Sequence, residues 1–179
     1  MTDIVTGAAG SGVIAVDNIT DFTVLQTDQI GNYSATNLEL TAILGDLNSA
    51  DDQFAIAAGN LGASVTAING TYDLGSAGTG SIIALSSATA FTNATVADAL
   101  EDNGALELIM NNQMDTNDGI IVLWDNNVDS FVGLLTTGAI IADNATALAN
   151  DFTMTTLTTL TGVADASTIA TANVLGFLA

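Results

Sequence analysis

Gly119-Ile120-Ile121-Val122-Leu123-Trp124-Asp125-Asn126-Asn127-Val128-Asp129-Ser130-Phe131-Val132-Gly133-Leu134-Leu135 is the stretch that decides the fold. Two aliphatic and aromatic runs flank five residues drawn from Asp, Asn and Val, and turn-formers between apolar runs predict a β-hairpin. Trp124 and Phe131 face each other across it, a placement that suits core or interface packing. Downstream, residues 152–160 read as another strand, although Met154, Leu157 and Leu160 break strict alternation with Thr. Upstream, residues 63–68, 71–74, 81–85 and 105–110 read as strands, with Asn69-Gly70 as a hairpin turn and residues 75–80 as a further turn or loop. Residues 13–16 and 21–25, separated by Asp17-Asn18, and residues 38–44 extend the pattern. A helix is predicted from Asn93 as its cap through Val96, Ala97 and Leu100 to a stop at Gly104, and a short one from Asp165, as cap, to Asn173. The expected fold is mainly β: an antiparallel β-sandwich-like single domain spanning residues 1–179, with one or two short helices.

The charge inventory narrows the function. The 179 residues include 20 Asp plus Glu and no Lys, Arg or His, a formal charge of -20. Phosphate backbones and anionic lipid surfaces are bound through basic side chains, so nucleic acid and membrane insertion are excluded as expectations. General bases, Schiff-base amines and oxyanion clamps are usually His, Lys and Arg, so the chain is expected not to be an enzyme. With no Cys there are no disulfides or thiolate metal sites, and Pro is absent too. An acidic, unfolded tail is ruled against by 49% hydrophobic residues and a mean hydropathy of +0.48. A chain of this size buries about two-thirds of its unfolded surface, and its carboxylates belong outside, since no protein cation exists to pair a buried one. Met1-Thr2-Asp3-Ile4 shows no basic, then apolar, leader, and the densest apolar stretch, around Ile120 to Trp124, is too short to span a bilayer.

Gly7-Ala8-Ala9-Gly10-Ser11-Gly12-Val13-Ile14-Ala15 lies on the nonapeptide pattern Gly-Gly-x-Gly-x-Asp-x-apolar-x, with Gly7, Gly10 and Ile14 in place, Ala8 for the second Gly and Gly12 for the ligating Asp. Asp17-Asn18-Ile19-Thr20-Asp21-Phe22 resembles the Asp-x-Ile-x-Asp-Phe segment that follows such turns. Gly59-Asn60-Leu61, Ala88-Thr89-Ala90-Phe91, Asp118-Gly119-Ile120-Ile121-Val122, Leu160-Thr161-Gly162-Val163 and Leu175-Gly176-Phe177-Leu178-Ala179 continue the likeness. Together they resemble the C-terminal module of RTX-type proteins exported by type I secretion, with residues 119–179 similar to the secretion tail. The resemblance implies a short β-roll-like N-terminal stretch, export by the type I secretion machinery without a cleaved signal peptide, an extracellular or cell-surface location, and folding where Ca²⁺ can neutralise carboxylates.

The candidate Ca²⁺ ligands are Asp115, Asn117, Asp118, Asp125, Asn127 and Asp129, since Ca²⁺ takes six to eight oxygen ligands from carboxylates, amides and backbone. Asp125-x-Asn127-x-Asp129 matches the first ligands of a calcium loop, while Ser130 and Thr136 occupy the positions of its Gly and Glu. The competing reading is an Asp/Asn-rich turn whose side chains bond their own backbone. Natural sheets protect their edges with Lys, Pro or bulges, and this chain has neither Lys nor Pro. The expected function is therefore a secreted structural protein that self-assembles, as a homo-oligomer or polymer, into an ion-dependent filament, sheath or surface layer. Residues 1–16 would supply an exchanged N-terminal strand. The alternative is a monomeric extracellular adhesion or binding module, or an orphan export domain.

Overall fold

The computed structural model describes residues 2–4, 17–19, 29–31, 65–74, 82–111, 113–116, 119–170 and 173. Among the described residues ten strands run in chain order: β1 (Thr2–Ile4), β2 (Asp17–Ile19), β3 (Gln29–Gly31), β4 (Val65–Ile68), β5 (Tyr72–Leu74), β6 (Ile82–Leu85), β7 (Leu108–Met110), β8 (Gly119–Asp125), β9 (Ser130–Thr137) and β10 (Phe152–Leu160). Helix α1 (Asn93–Leu100) links β6 to β7, and a 3₁₀ turn (Ala166–Thr168) follows β10. The protein is mainly β, as its composition predicts.

The hairpin forms where the sequence places it. β8 and β9 pair antiparallel from Gly119↔Thr136 to Asp125↔Ser130, and Trp124 lies opposite Phe131 with ring centroids 5.5 Å apart. Every residue of β8 is buried. A strand covered on both faces reads as a continuous apolar run, and such a strand belongs in the middle of a sheet.

The sheet around it is mixed, not the antiparallel one expected. Its order is β2-β10-β9-β8-β6-β4, and only the β8-β9-β10 portion is antiparallel. β4, β6 and β8 are parallel neighbours, β5 and β7 form a separate parallel pair, and so do β1 and β3. The chain therefore goes from β4 to β5, back to β6, through α1 to β7 and back to β8, alternating between two sheets. Asn69-Gly70 is the corner of this path and not a hairpin turn. Neither residue has the positive φ that a two-residue type I′ hairpin loop requires, and β4 and β5 do not pair.

One face of the sheet carries Ile68, Ile83, Leu85, Ile120, Val122, Trp124, Leu135, Phe152 and Met154, packed with Val96, Ala97 and Leu100 of α1 and with Leu74, Leu108 and Met110 of the β5-β7 pair. The opposite face, including Ala84, Ile121, Leu123 and Val132, is buried as well. The 3₁₀ turn lies against β6 and β8. A polar bond ties it to this second face: Asp125, on the same side of β8 as Ile121 and Leu123, accepts from the Ala166 amide.

α1 begins one residue earlier than predicted. Thr92, not Asn93, is its cap, in a reciprocal box with Thr95: the Thr95 amide donates to Thr92 Oγ1 and the Thr92 amide to Thr95 Oγ1. Asn93 is free to accept instead from Thr156 Oγ1 of β10 at 2.9 Å. Asp165 is a cap as expected, accepting from the Ser167 amide, but the element it caps is a 3₁₀ turn at Ala166–Thr168 and not a helix running on to Asn173. The strand read at 105–110 narrows to Leu108–Met110.

The broken alternation of β10 has a simple cause. Thr156 pairs with Gly133 and Thr158 with Val132, so Leu157 is an extra residue in a β-bulge. The bulge resets the phase, which lets Met154, Leu157 and Leu160 all be buried. Asp17-Asn18, read as a separator between strands, lies in β2 and pairs parallel with Thr158–Leu160. The strands read at 13–16, 21–25 and 38–44, and the loop at 75–80, lie outside the described residues, as does the glycine-rich stretch at 7–15.

Candidate functional site

A chain that cannot form a side-chain salt bridge must satisfy its inward carboxylates another way, and it uses backbone amides. Glu101, which follows α1, is 3% exposed; its Oε1 accepts from the Phe152 amide at 2.9 Å and its Oε2 from the Asn150 amide at 3.0 Å. Asp125, at the end of β8, is 4% exposed; its Oδ1 accepts from the Asn127 amide and its Oδ2 from the Ala166 amide, each at 3.0 Å. Asp129 Oδ1 accepts from the Gly162 amide at 2.8 Å. Hydrogen bonds to an ionised acceptor are among the stronger ones, so each carboxylate clamps two distant parts of the chain.

Beside the Asp125 clamp lies an open cleft of about 350 Å³, lined by Ser86, Ser87, Ala88, Asp125, Asn127, Ala164 and Asp165. Its position follows from the parallel pairing. β6 and β8 run the same way, so the residues that leave their carboxyl ends, Ser86 to Ala88 and Asp125 to Asn127, meet at one rim of the sheet. Ala164 and Asp165 close the third side because the 3₁₀ turn is docked there. The Phe91 amide donates to the Asp125 carbonyl at 2.9 Å and Asn127 Nδ2 to the Ala88 carbonyl at 3.5 Å, joining the two walls. Asn127 takes φ 67°, a left-handed conformation that Asn tolerates, to complete the turn.

The cleft is an oxygen-donor site with two carboxylates and two hydroxyls and no cationic side chain. Its chemistry suits a cation or a neutral hydroxylated ligand and repels anions. Asp165 Oδ1 is engaged at its edge by the Ser167 amide at 2.9 Å and the Ser167 hydroxyl at 2.6 Å.

Of the predicted calcium ligands, Asp125 and Asn127 line this cleft. Asp129 belongs to the same turn, but its carboxylate is turned to Gly162. Asp115 accepts from Gln113 Nε2 at 2.7 Å in the segment that enters β8. It precedes the start of β8, whereas Asp125 ends that strand. Asn117 and Asp118 lie outside the described residues. Among the described residues no group of three or more acidic side chains is placed to share a metal ion. The turn at 125–129 has the geometry of the competing reading: Asn126 Oδ1 accepts from the Val128 and Asp129 amides at 3.0 and 2.8 Å. Ser86, Ser87 and Asp165 were not among the residues expected at a site. The signal for the serines was a polar pair directly after a strand, which carries weight only once β6 and β8 are known to be parallel.

No helix among the described residues is long and apolar enough to cross a membrane. Comparison of the chain with protein-family models, curated proteins and solved structures returned no match.

Proposed function

We propose that this chain is an exported structural subunit that self-assembles outside the cell by strand addition, with divalent cations offsetting repulsion between its acidic copies. The observation that carries the reading is the outer edge of β10. β10 is nine residues long and contains no charged residue, yet β2 pairs with only Thr158–Leu160 of it. Along 152–157 no strand lies on the outer side of β10 among the described residues. An uncharged strand edge is a template for pairing with another chain; neither Lys nor Pro interrupts this one, and its bulge at Leu157 leaves residues 152–156 as the regular open stretch. The strand that does reach the edge comes from far away in the sequence. The RTX-like motifs support export of the chain, and its charge of -20 supports cation-triggered assembly.

Purified protein dialysed into EDTA at low salt and then given Ca²⁺ is expected to polymerise, read by light scattering. Thr153→Lys, which puts a charge on the open edge at an exposed position, is expected to keep the monomer's circular dichroism and abolish the scattering. A wild-type chain that stays monomeric with and without Ca²⁺, or a Thr153→Lys chain that polymerises normally, overturns the reading. A monomeric binding module is the second reading, favoured by the oxygen-lined cleft.

A further inference from the structure

Asn-Gly occurs twice in the chain, at Asn69-Gly70 and Asn103-Gly104. In this dipeptide the glycine amide nitrogen can reach the Asn side-chain carbonyl carbon unhindered by a side chain, and the two copies are in opposite situations.

Asn69 is exposed at the corner between β4 and β5. The Gly70 amide makes no hydrogen bond among the described residues, and a Cβ built on Gly70 would meet nothing within 4 Å. Among the described residues nothing commits that nitrogen, and the Cα side of Gly70 is open. Asn103 is exposed too, but the Gly104 amide donates to the Glu101 carbonyl at 2.8 Å. A Cβ on Gly104 would overlap the Ala99 carbonyl, so the glycine is packed against the end of α1 while its amide is held by Glu101. Exposure is the same at both sites; the freedom of the nucleophile differs.

We propose that Asn69 is a site of spontaneous self-modification in the folded protein, converting to aspartate and isoaspartate through a cyclic imide, while Asn103 is protected by the fold. The Gly70 nitrogen gives its proton to solvent hydroxide and forms a bond to Asn69 Cγ. The Cγ–Nδ2 bond breaks, and ammonia leaves with a proton returned from water. A water molecule then opens the ring at one of its two carbonyls. Either product adds a carboxylate that no side chain can pair, and the isoaspartate branch also lengthens the backbone by one methylene at the corner that sends the chain from one sheet to the other.

The test is hydroxylamine, which cleaves the imide, applied to the full-length folded protein at mildly alkaline pH, with products sized by mass spectrometry. Cleavage between residues 69 and 70, with the 103–104 bond intact, is the expected native result, and both bonds are expected to react in denaturant. Gly70→Ala is expected to slow native cleavage many-fold. Native cleavage at neither bond, equal cleavage at both, or an unaffected Gly70→Ala chain overturns the proposal.

Discussion

At the scale of single residues, Gly133 shows how little space the hairpin leaves. It pairs with Val122 on one side and Thr156 on the other. A Cβ there would overlap Cζ3 of Trp124 and stand 2.9 Å from Met154 Sδ. The indole lies over the backbone of β9 because the glycine lets it, and from there it stacks on Phe131. Gly133→Ala forces the ring off its place, and overpacking of this kind costs about 1–3 kcal/mol. Urea unfolding is expected to register that loss. Because Trp124 is the only tryptophan, its emission should shift in the folded variant as well; unchanged emission and midpoint would contradict the packing described. Asn does the other residue-scale work: all four described non-glycine residues with positive φ are Asn, at 103, 127, 144 and 150. Asparagine tolerates that region better than most other side chains, so it can close these turns where glycine would otherwise be needed.

At the scale of elements, the decisive device is the carboxylate clamp. Glu101 joins the end of α1 to the start of β10 by bonding the Asn150 and Phe152 amides. Glu101→Leu puts an apolar side chain of similar size in the buried position and strands both donors. At about 1–3 kcal/mol per unsatisfied group, the expected loss is about 2–6 kcal/mol. Hydrogen exchange should show the Asn150 and Phe152 amides among the first to lose protection; a variant as stable as wild type would show the clamp to be dispensable. The hairpin, β10, the position of α1 to within one residue of its cap, and the Asp165 cap were legible in sequence, because each is decided by residues within one turn or strand of itself. The corner at Asn69-Gly70 was not. A type I′ hairpin and a corner between sheets use the same dipeptide, and the choice depends on whether β4 finds its partner in β5 or β6. Partner choice rests on burial against residues far along the chain, as at Ile83 and Val122, which lie side by side in the parallel β6-β8 ladder. The β10 bulge left a visible trace as broken alternation at Leu157, though not one that revealed its own cause.

At the scale of the whole molecule, charge is the dominant unknown of ordinary folding made extreme. With -20 and no side-chain cation, every carboxylate repels every other, and compaction brings them closer. Salt screens this: between about 0.01 M and about 1 M the screening length falls from about 30 Å to about 3 Å. The thermal midpoint is expected to rise over that range, and at equal ionic strength to be higher in Ca²⁺ than in Na⁺, as calorimetry can read. A midpoint independent of salt would mean that the carboxylates are spaced too widely for their repulsion to matter.

Sequence by itself determined what the chain lacks and what its short segments must do. Without Lys, Arg, His or Cys, it determined that no salt bridge between side chains, disulfide or thiolate metal site can exist, and apolar runs around the turn at 125–129 determined the hairpin, because those properties belong to residues taken singly or to near neighbours. Tertiary structure alone decided that β4, β6 and β8 run parallel, that Asp125 and Asp165 share a cleft with Ser86 and Ser87, and that Asp115 is kept at the far end of β8. These are questions of which distant surfaces bury one another. Burial is non-directional and roughly proportional to area, so it can choose among pairings that the local sequence leaves equivalent.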